Sequence, residues 1–282
     1  MQFIGPTYKK KAVNTPVNSI SDVSREHLLD KFHKLHRLLK CETVETQGGK
    51  SISASRHPQG LMFCIEHLAA KFVRQGWEQV GSKPEAAFPL AAVIIALWHH
   101  HPQLGDLLLA NFYEHCPYLL PYYVPKLQGQ TDQEYYEALG YLYTNGQVEK
   151  QDKFLKRMAG ITRLYAGLMV TPSQSGFHPF GINNAWTWLA EILQLDPRPD
   201  ITATVLHEFL SVAGNALQMT YQRQFFKLIH VLCTEYLKRL VEVTPKGQGG
   251  PVTRLEHFLQ QALRSQHFPP PEGMLPASFL II

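Results

Sequence analysis

The stretch Lys83–Pro84–Glu85–Ala86–Ala87–Phe88–Pro89–Leu90–Ala91–Ala92–Val93–Ile94–Ile95–Ala96–Leu97–Trp98 decides the fold class of this chain. From Leu90 to Trp98 the residues are apolar on every side. A helix built from them has no face to give to water and must be enclosed by other helices. Pro84 stands where a helix can begin, because a first-turn N–H has no intrahelical partner to lose. Pro89 comes one turn later, and its ring and missing donor predict a tilt in the helix that follows. The segment therefore predicts the middle of a packed helical array.

Helical spacing recurs on both sides of it. Leu28, Leu29, Phe32, Leu35, Leu38 and Leu39 predict a helix from Ser24 to Lys40, and Ile65, Leu68, Phe72 and Val73 predict another from Leu61 to about Val80. Leu104, Leu107, Leu108 and Phe112 line a helix that starts at Pro102 and stops at Cys116–Pro117. Thr131 and Glu134 have the spacing of a capping box. Further helices follow through Phe154–Leu168, from Asn183 or Asn184 as cap, from Thr202 or Thr204, over Tyr221–Val243 and over Thr253–Leu263. No strand pattern stands out. Residues 1–22, rich in Lys, Pro, Asn and Ser, read as an extended N-terminal arm, and 23–282 as a single helical domain.

The chain has 282 residues, 45% hydrophobic and 18% charged, with a net charge of +4. That is globular composition with ample length to bury a core. The longest apolar run is too short to span a bilayer. The N-terminus lacks the layout of a secretory signal. Cys41, Cys64, Cys116 and Cys233 are far apart with no CxxC pair, which points to reduced thiols rather than a disulfide frame or a zinc site. The charge excess is below that of a dedicated nucleic-acid binder, so direct nucleic-acid binding is not expected.

Catalytic patterns are missing from the sequence. There is no GxxxxGK[ST], GxGxxG or GxSxG. His207–Glu208 opens like a zincin helix, but Ser211 stands where the second histidine belongs. His99, His100 and His101 point about 100° apart on a helix and cannot converge on one ion alone. Glu114, His115 and Cys116 diverge in the same way. No catalytic residue, no metal site and no required cofactor are expected, and an enzyme is not.

Five segments in order resemble the C-terminal domain of the GLFG-lethal (Gle) family of nuclear-pore mRNA export factors. They are Lys83–Pro89, Cys116–Pro117–Tyr118, Asp152–Gly160, His178–Pro179–Phe180–Gly181–Ile182–Asn183–Asn184–Ala185–Trp186, and Gly214–Asn215–Ala216–Leu217 with Tyr221–Gln222. The resemblance covers the chain from about Thr15 onward and is closer to animal members than to budding yeast. It implies an all-α, HEAT-repeat-like helical solenoid akin to the middle domain of the translation initiation factor that holds a DEAD-box helicase. It further implies stimulation of a DEAD-box helicase's RNA-dependent ATPase at the cytoplasmic face of the nuclear pore, with residence in nucleus and cytoplasm. An FG-repeat nucleoporin segment is the second implied partner, and translation initiation and termination factors are further ones. A general helical-repeat adaptor, or an RNA-binding scaffold without that stimulation, stands as the alternative.

Fungal members of the family bind inositol hexakisphosphate in a basic pocket. The positions that match here are Lys9, Lys10, Lys11, Lys71, Arg74, His115 and Lys246. Glu114 and a neutral His115 replace two cations, which predicts weak or absent binding. Helicase contact is expected at Lys71, Arg74, Lys153, Lys156 and Arg157. Nucleoporin contact is expected at Trp188, Phe225 and Phe226, taken as exposed apolar surface.

Overall fold

Ser24 shows how local chemistry starts a helix in this protein. Its backbone is extended, and its hydroxyl accepts a hydrogen bond from the His27 N–H at 3.1 Å, so α2 (Arg25–Leu39) begins with an orphan donor satisfied. The computed structural model describes residues 6–46, 49, 51–173 and 177–279. The other helices are α1 (Pro6–Asn18), α3 (Gly60–Gln75), α4 (Ala87–His100), α5 (Gln103–His115), α6 (Asp132–Ala138), α7 (Gln151–Val170), α8 (Ile182–Ile192), α9 (Thr202–Tyr221), α10 (Arg223–Val231), α11 (Leu237–Val243) and α12 (Gly250–Ser265). The all-α expectation holds.

Every residue of α4 from Ala87 to Trp98 is buried, as its all-round apolar sequence requires. Each large side chain enclosed this way contributes about 1.5–3 kcal/mol. The expected tilt at Pro89 loses its physical reason. A 3₁₀ turn, Pro84–Ala86, precedes α4, so Pro89 falls in the first turn, where a missing N–H breaks no ladder.

The helices pack in an i, i+2 order: α1 on α3, α2 on α4, α3 on α5 and α7 on α9, with α12 closing against α9. The long α7 sits at the centre, against α9, α4 and the π-helical turn Gly76–Val80 that extends α3. Gly160 makes that last contact possible. A methyl group on Gly160 would overlap the Gly76 carbonyl oxygen and lie 2.6 Å from the Gly81 nitrogen. Only hydrogen fits there.

Three expectations need correction. The N-terminal arm is not extended: residues 6–18 form α1, with Val13 and Val17 fully buried along one face. Packing of that face on α3 outweighs the Lys- and Asn-rich composition. Residues 1–5 of the expected arm lie outside the described residues. Second, two short antiparallel hairpins are present, β1 (Val44–Glu45) with β2 (Ser51–Ile52) and β3 (Tyr143–Thr144) with β4 (Gln147–Val148). The second turns on Asn145–Gly146, both in the left-handed region, which is the dipeptide a tight hairpin selects. Third, α8 starts at Ile182 after Gly181, so neither Asn183 nor Asn184 is its cap. The capping box at Thr131–Glu134 is present in full.

Beyond α12 the chain folds back. Phe268 is fully buried against Phe225, Phe226 and Phe258. Its ring rests over Gly214, where a methyl would come within 2.5 Å of Cδ1. Asn215 Nδ2 donates to the Phe268 carbonyl at 2.7 Å, and the Phe268 N–H donates to Gln218 Oε1 at 2.7 Å.

Gly160→Ala is expected to destabilise the chain by about 3 kcal/mol or more, since the clash is with backbone that cannot give way. Gly249→Ala, which faces open space, is the control. Chemical denaturation of both variants checks this; equal midpoints would remove the close contact from its central role.

Candidate partner-binding surface

The sequence-predicted basic residues separate into groups once folded. His67, Lys71, Arg74 and Glu78 fall at four- and three-residue steps along one face of α3 and its π turn. His67 Nε2 pairs with Asn14 Oδ1 of α1 at 2.8 Å. Lys10 precedes Asn14 by one helical turn, which brings it beside the same face. Lys11 is exposed on α1, and the Lys9 side chain lies outside the described residues. Lys246 sits in the connection between α11, which packs mainly on the π turn Leu232–Tyr236, and α12, which packs mainly on α9; neither helix has α1 or α3 among its main packing partners.

Glu78, which the sequence reading missed, is the counter-ion of this face. Its Oε1 accepts from Arg74 Nε at 2.6 Å, and its Oε2 accepts from Lys71 Nζ at 3.0 Å and Gln75 Nε2 at 3.1 Å. Burial acts to raise its pKa, but the two cations outweigh that and hold the carboxyl below its ordinary range. The Arg74–Glu78 spacing of four was the signal available in the sequence. His115 packs edge-on against Trp77, with ring centroids 5.0 Å apart. Burial lowers its pKa, so it adds no cation near neutral pH.

At the start of α7, Lys153 and Lys156 are exposed. The Lys156 carbonyl oxygen would lie 3.2 Å from a Cβ on Gly81, so this end of α7 abuts the end of the π turn. Arg157 is a correction. It is buried, ion-paired with Glu149, and donates to the Gly140 carbonyl at 2.6 Å. It braces the β3–β4 segment against α7 and is not available to a partner.

The expected nucleoporin residues are also corrected. Trp188 is 4% exposed and Phe225 fully buried. Trp188 Nε1 donates to the Leu119 carbonyl at 2.8 Å and its ring packs on Phe209, so both its polar and apolar parts are used inside. Phe225 belongs to the box around Phe268. Phe226 is half-buried beside it.

Several other groups singled out in the sequence have structural partners. His178 accepts at Nδ1 from the Phe180 N–H at 3.0 Å, which leaves its proton on Nε2 to donate to the Thr171 carbonyl at 2.8 Å. It fixes the turn into α8. Cys116 is fully buried and its thiol is pushed up to about 12, so it is no nucleophile. The three-histidine run ends in a pairing from another helix: His101 Nε2 lies 3.0 Å from His36 Nδ1, and the His36 ring centre is 4.8 Å from that of His100. Among the described residues no group of three or more His, Cys, Asp or Glu is placed to hold a metal ion. None of the helices they form is long and apolar enough to cross a membrane.

Comparison with known proteins gives consistent relatives. Residues 7–233 match the family described as GLE1-like protein. The mRNA export factor GLE1 of Mus musculus is 43% identical over 274 residues, covering 96% of this chain and 39% of that protein. The mRNA export factor GLE1 of Danio rerio is 46% identical over 234 residues, covering 82% of this chain and 34% of that protein. The chain thus spans well under half the length of these relatives. A chain in the solved structure of a variant S. cerevisiae Dbp5 C-terminal domain bound to Gle1 and IP6 superposes with a TM-score of 0.79 at 22% identity, covering 96% of this chain and 87% of that one. At that identity the likeness speaks for the fold.

Arg157→Met is expected to cost about 3–5 kcal/mol, because Glu149 is left as an uncompensated buried charge. Lys153→Ala and Lys156→Ala stay within about 0.5 kcal/mol. Urea titration separates the two classes. Burial, then the charges of His36, His100 and Lys40, pushes the folded-state pKa of His101 down from 6.5 to about 4. The unfolded chain then binds more protons across that interval, so stability is present above pH 6.5 and falls as pH drops toward 4. His101→Gln is expected to flatten the melting-temperature profile over this window; a profile identical to the unsubstituted chain would exclude the pair as its source.

Proposed function

The chain belongs to the GLE1-like protein family, and from that premise we propose that it binds a DEAD-box RNA helicase and stimulates its RNA-dependent ATPase during mRNA export at the nuclear pore. The observation that carries this is the family match over most of the chain. The shared fold with a chain from a Dbp5 complex that also contains Gle1 and IP6 agrees with it. Residence at the cytoplasmic face of the pore, in nucleus and cytoplasm, belongs to the same proposal.

A rigid helical stack can do this work without reactive groups of its own. A two-lobed helicase closes on ATP and RNA and opens to release them. A scaffold that binds one relative orientation of the lobes more tightly shifts the equilibrium by that difference. Favouring a half-open state speeds product release, which limits many turnovers. The i, i+2 packing and the close seat of α7 on the π turn support such stiffness, and we read the stack as HEAT-repeat-like on the same ground.

Lys71, Arg74, Lys153 and Lys156 are the proposed helicase-facing cations, set on two abutting elements. Several cations are already matched to carboxylates: Lys71 and Arg74 to Glu78, Arg163 to Glu208 and Arg239 to Asp196. This favours a protein surface over a nucleic-acid backbone as the partner, since phosphates are held by cations free to release counterions. The nucleoporin segment and the translation factors remain proposals of family membership, and Trp188 and Phe225 no longer support the first. Inositol hexakisphosphate is proposed to bind this chain weakly or not at all, on the dispersal of Lys246, the neutral His115 and the paired state of Lys71 and Arg74.

Added to a pore-associated DEAD-box helicase with RNA, the chain is expected to raise ATP turnover severalfold. Lys153→Glu with Lys156→Glu is expected to lower that stimulation at unchanged melting temperature. Turnover that stays at its basal level with the intact chain would overturn the proposal.

A further inference from the structure

Thr-Pro dipeptides occur three times in the chain, at Thr15–Pro16, Thr171–Pro172 and Thr244–Pro245, and Ser-Pro does not occur. The dipeptide is the minimal acceptor of proline-directed protein kinases, which need an accessible hydroxyl on extended chain. Proline itself biases the residue before it toward extended backbone. The fold closes two of the three. Thr171 is 6% exposed, and its hydroxyl donates to the Gly167 carbonyl at 2.7 Å inside the core. Thr15 is exposed, but it is helical and its Pro16 is buried within α1.

Thr244 is presented differently. It ends α11 with extended backbone, φ −81° and ψ 121°. Pro245 and Lys246 after it are exposed, as are Val241, Glu242 and Val243 before it. A turn follows, in which the Gln248 N–H donates to the Pro245 carbonyl at 3.1 Å. Gly247, Gly249 and Gly250 all face open space. The stretch of chain that a kinase cleft must grip is therefore accessible on both sides of the hydroxyl. We propose that Thr244 is a phosphorylation site for a proline-directed kinase, and that its modification opens the last turn of α11.

In the transfer, Thr244 Oγ1 bonds to the γ-phosphorus of ATP, the bond from that phosphorus to the ADP oxygen breaks, and the hydroxyl proton passes to a carboxylate of the kinase. The product loses a donor that holds the helix end. In the unmodified chain the Thr244 hydroxyl donates to the Leu240 carbonyl at 2.6 Å. That carbonyl is one of those a helix leaves without an intrahelical partner at its C-terminus. A phosphate of charge about −2 in this place is repelled by the negative end of the helix and by Glu242, two residues earlier. Lys246, two residues later in the exposed turn, offers it a cation away from the helix. With seven residues, α11 has little to hold it once its last turn is lost.

The test is incubation of the whole chain with ATP and a cyclin-dependent or a mitogen-activated kinase, followed by mass-spectrometric mapping of the sites. Phosphate is expected at Thr244 at least about tenfold faster than at Thr15 or Thr171, which need folded structure to open first. Thr244→Val is expected to remove this incorporation at unchanged circular dichroism. In the phosphorylated chain, amide hydrogen exchange over 240–244 is expected to quicken at least about tenfold, while that of α4 stays the same. Failure of both kinases to modify Thr244, a preference for Thr15 or Thr171, or equal exchange over 240–244 with and without phosphate would each overturn the proposal. No helicase is present, so the outcome is independent of whether the chain stimulates ATP turnover.

Discussion

The contact of Gly160 with the Gly76–Gly81 turn is the constraint on which the rest of the structure depends. It lets the central helix α7 approach the end of α3 at backbone distance. Because α7 also packs on α4 and α9, this one seat ties the N-terminal helices to the C-terminal ones. It fixes, too, where Lys156 and the end of the π turn meet. Interiors packed this closely transmit displacement rather than absorb it. That is the property the proposed scaffold role requires.

Charge in this protein is used twice, once for architecture and once for surface. Arg157 with Glu149 and Arg163 with Glu208 are largely shielded pairs that join separate elements. In such places an unpaired ion would be costly, so both partners are committed. Arg74 is open and its pair with Glu78 contributes little to stability, while the Lys71 side chain, 11% exposed, is nearly as covered as Arg157. Their arrangement matters for what the face can accept.

Several residues that mark the family resemblance have a structural explanation. Gly214 leaves room for the Phe268 ring and Asn215 captures its carbonyl, so this pair holds the returning C-terminal segment. His178 fixes a turn through both ring nitrogens. Pro84 and Pro89 shape the entry to α4. Motifs of this kind identify a fold and say little about which side chains meet a partner.

The periodicity of Leu28–Leu39, the all-round apolar run to Trp98 and the Thr131–Glu134 box were sufficient to read helices and the helical class from the amino-acid order, because each rests on neighbours within one or two turns. Ser24 and the Asn145–Gly146 turn are equally local, the second being legible though unread. The placement of α1, the burial of Trp188, Phe225 and Arg157, and the meeting of His36 with His101 were not legible. Each depends on a residue dozens of positions away: Leu119 for Trp188, Phe268 for Phe225, and α3 for the buried face of α1. Exposure and charge pairing are properties of packed surfaces, and one-dimensional spacing carries no record of which surfaces meet. The helical class was therefore determined by the sequence alone, while tertiary packing decided which cations and aromatics were left for another molecule.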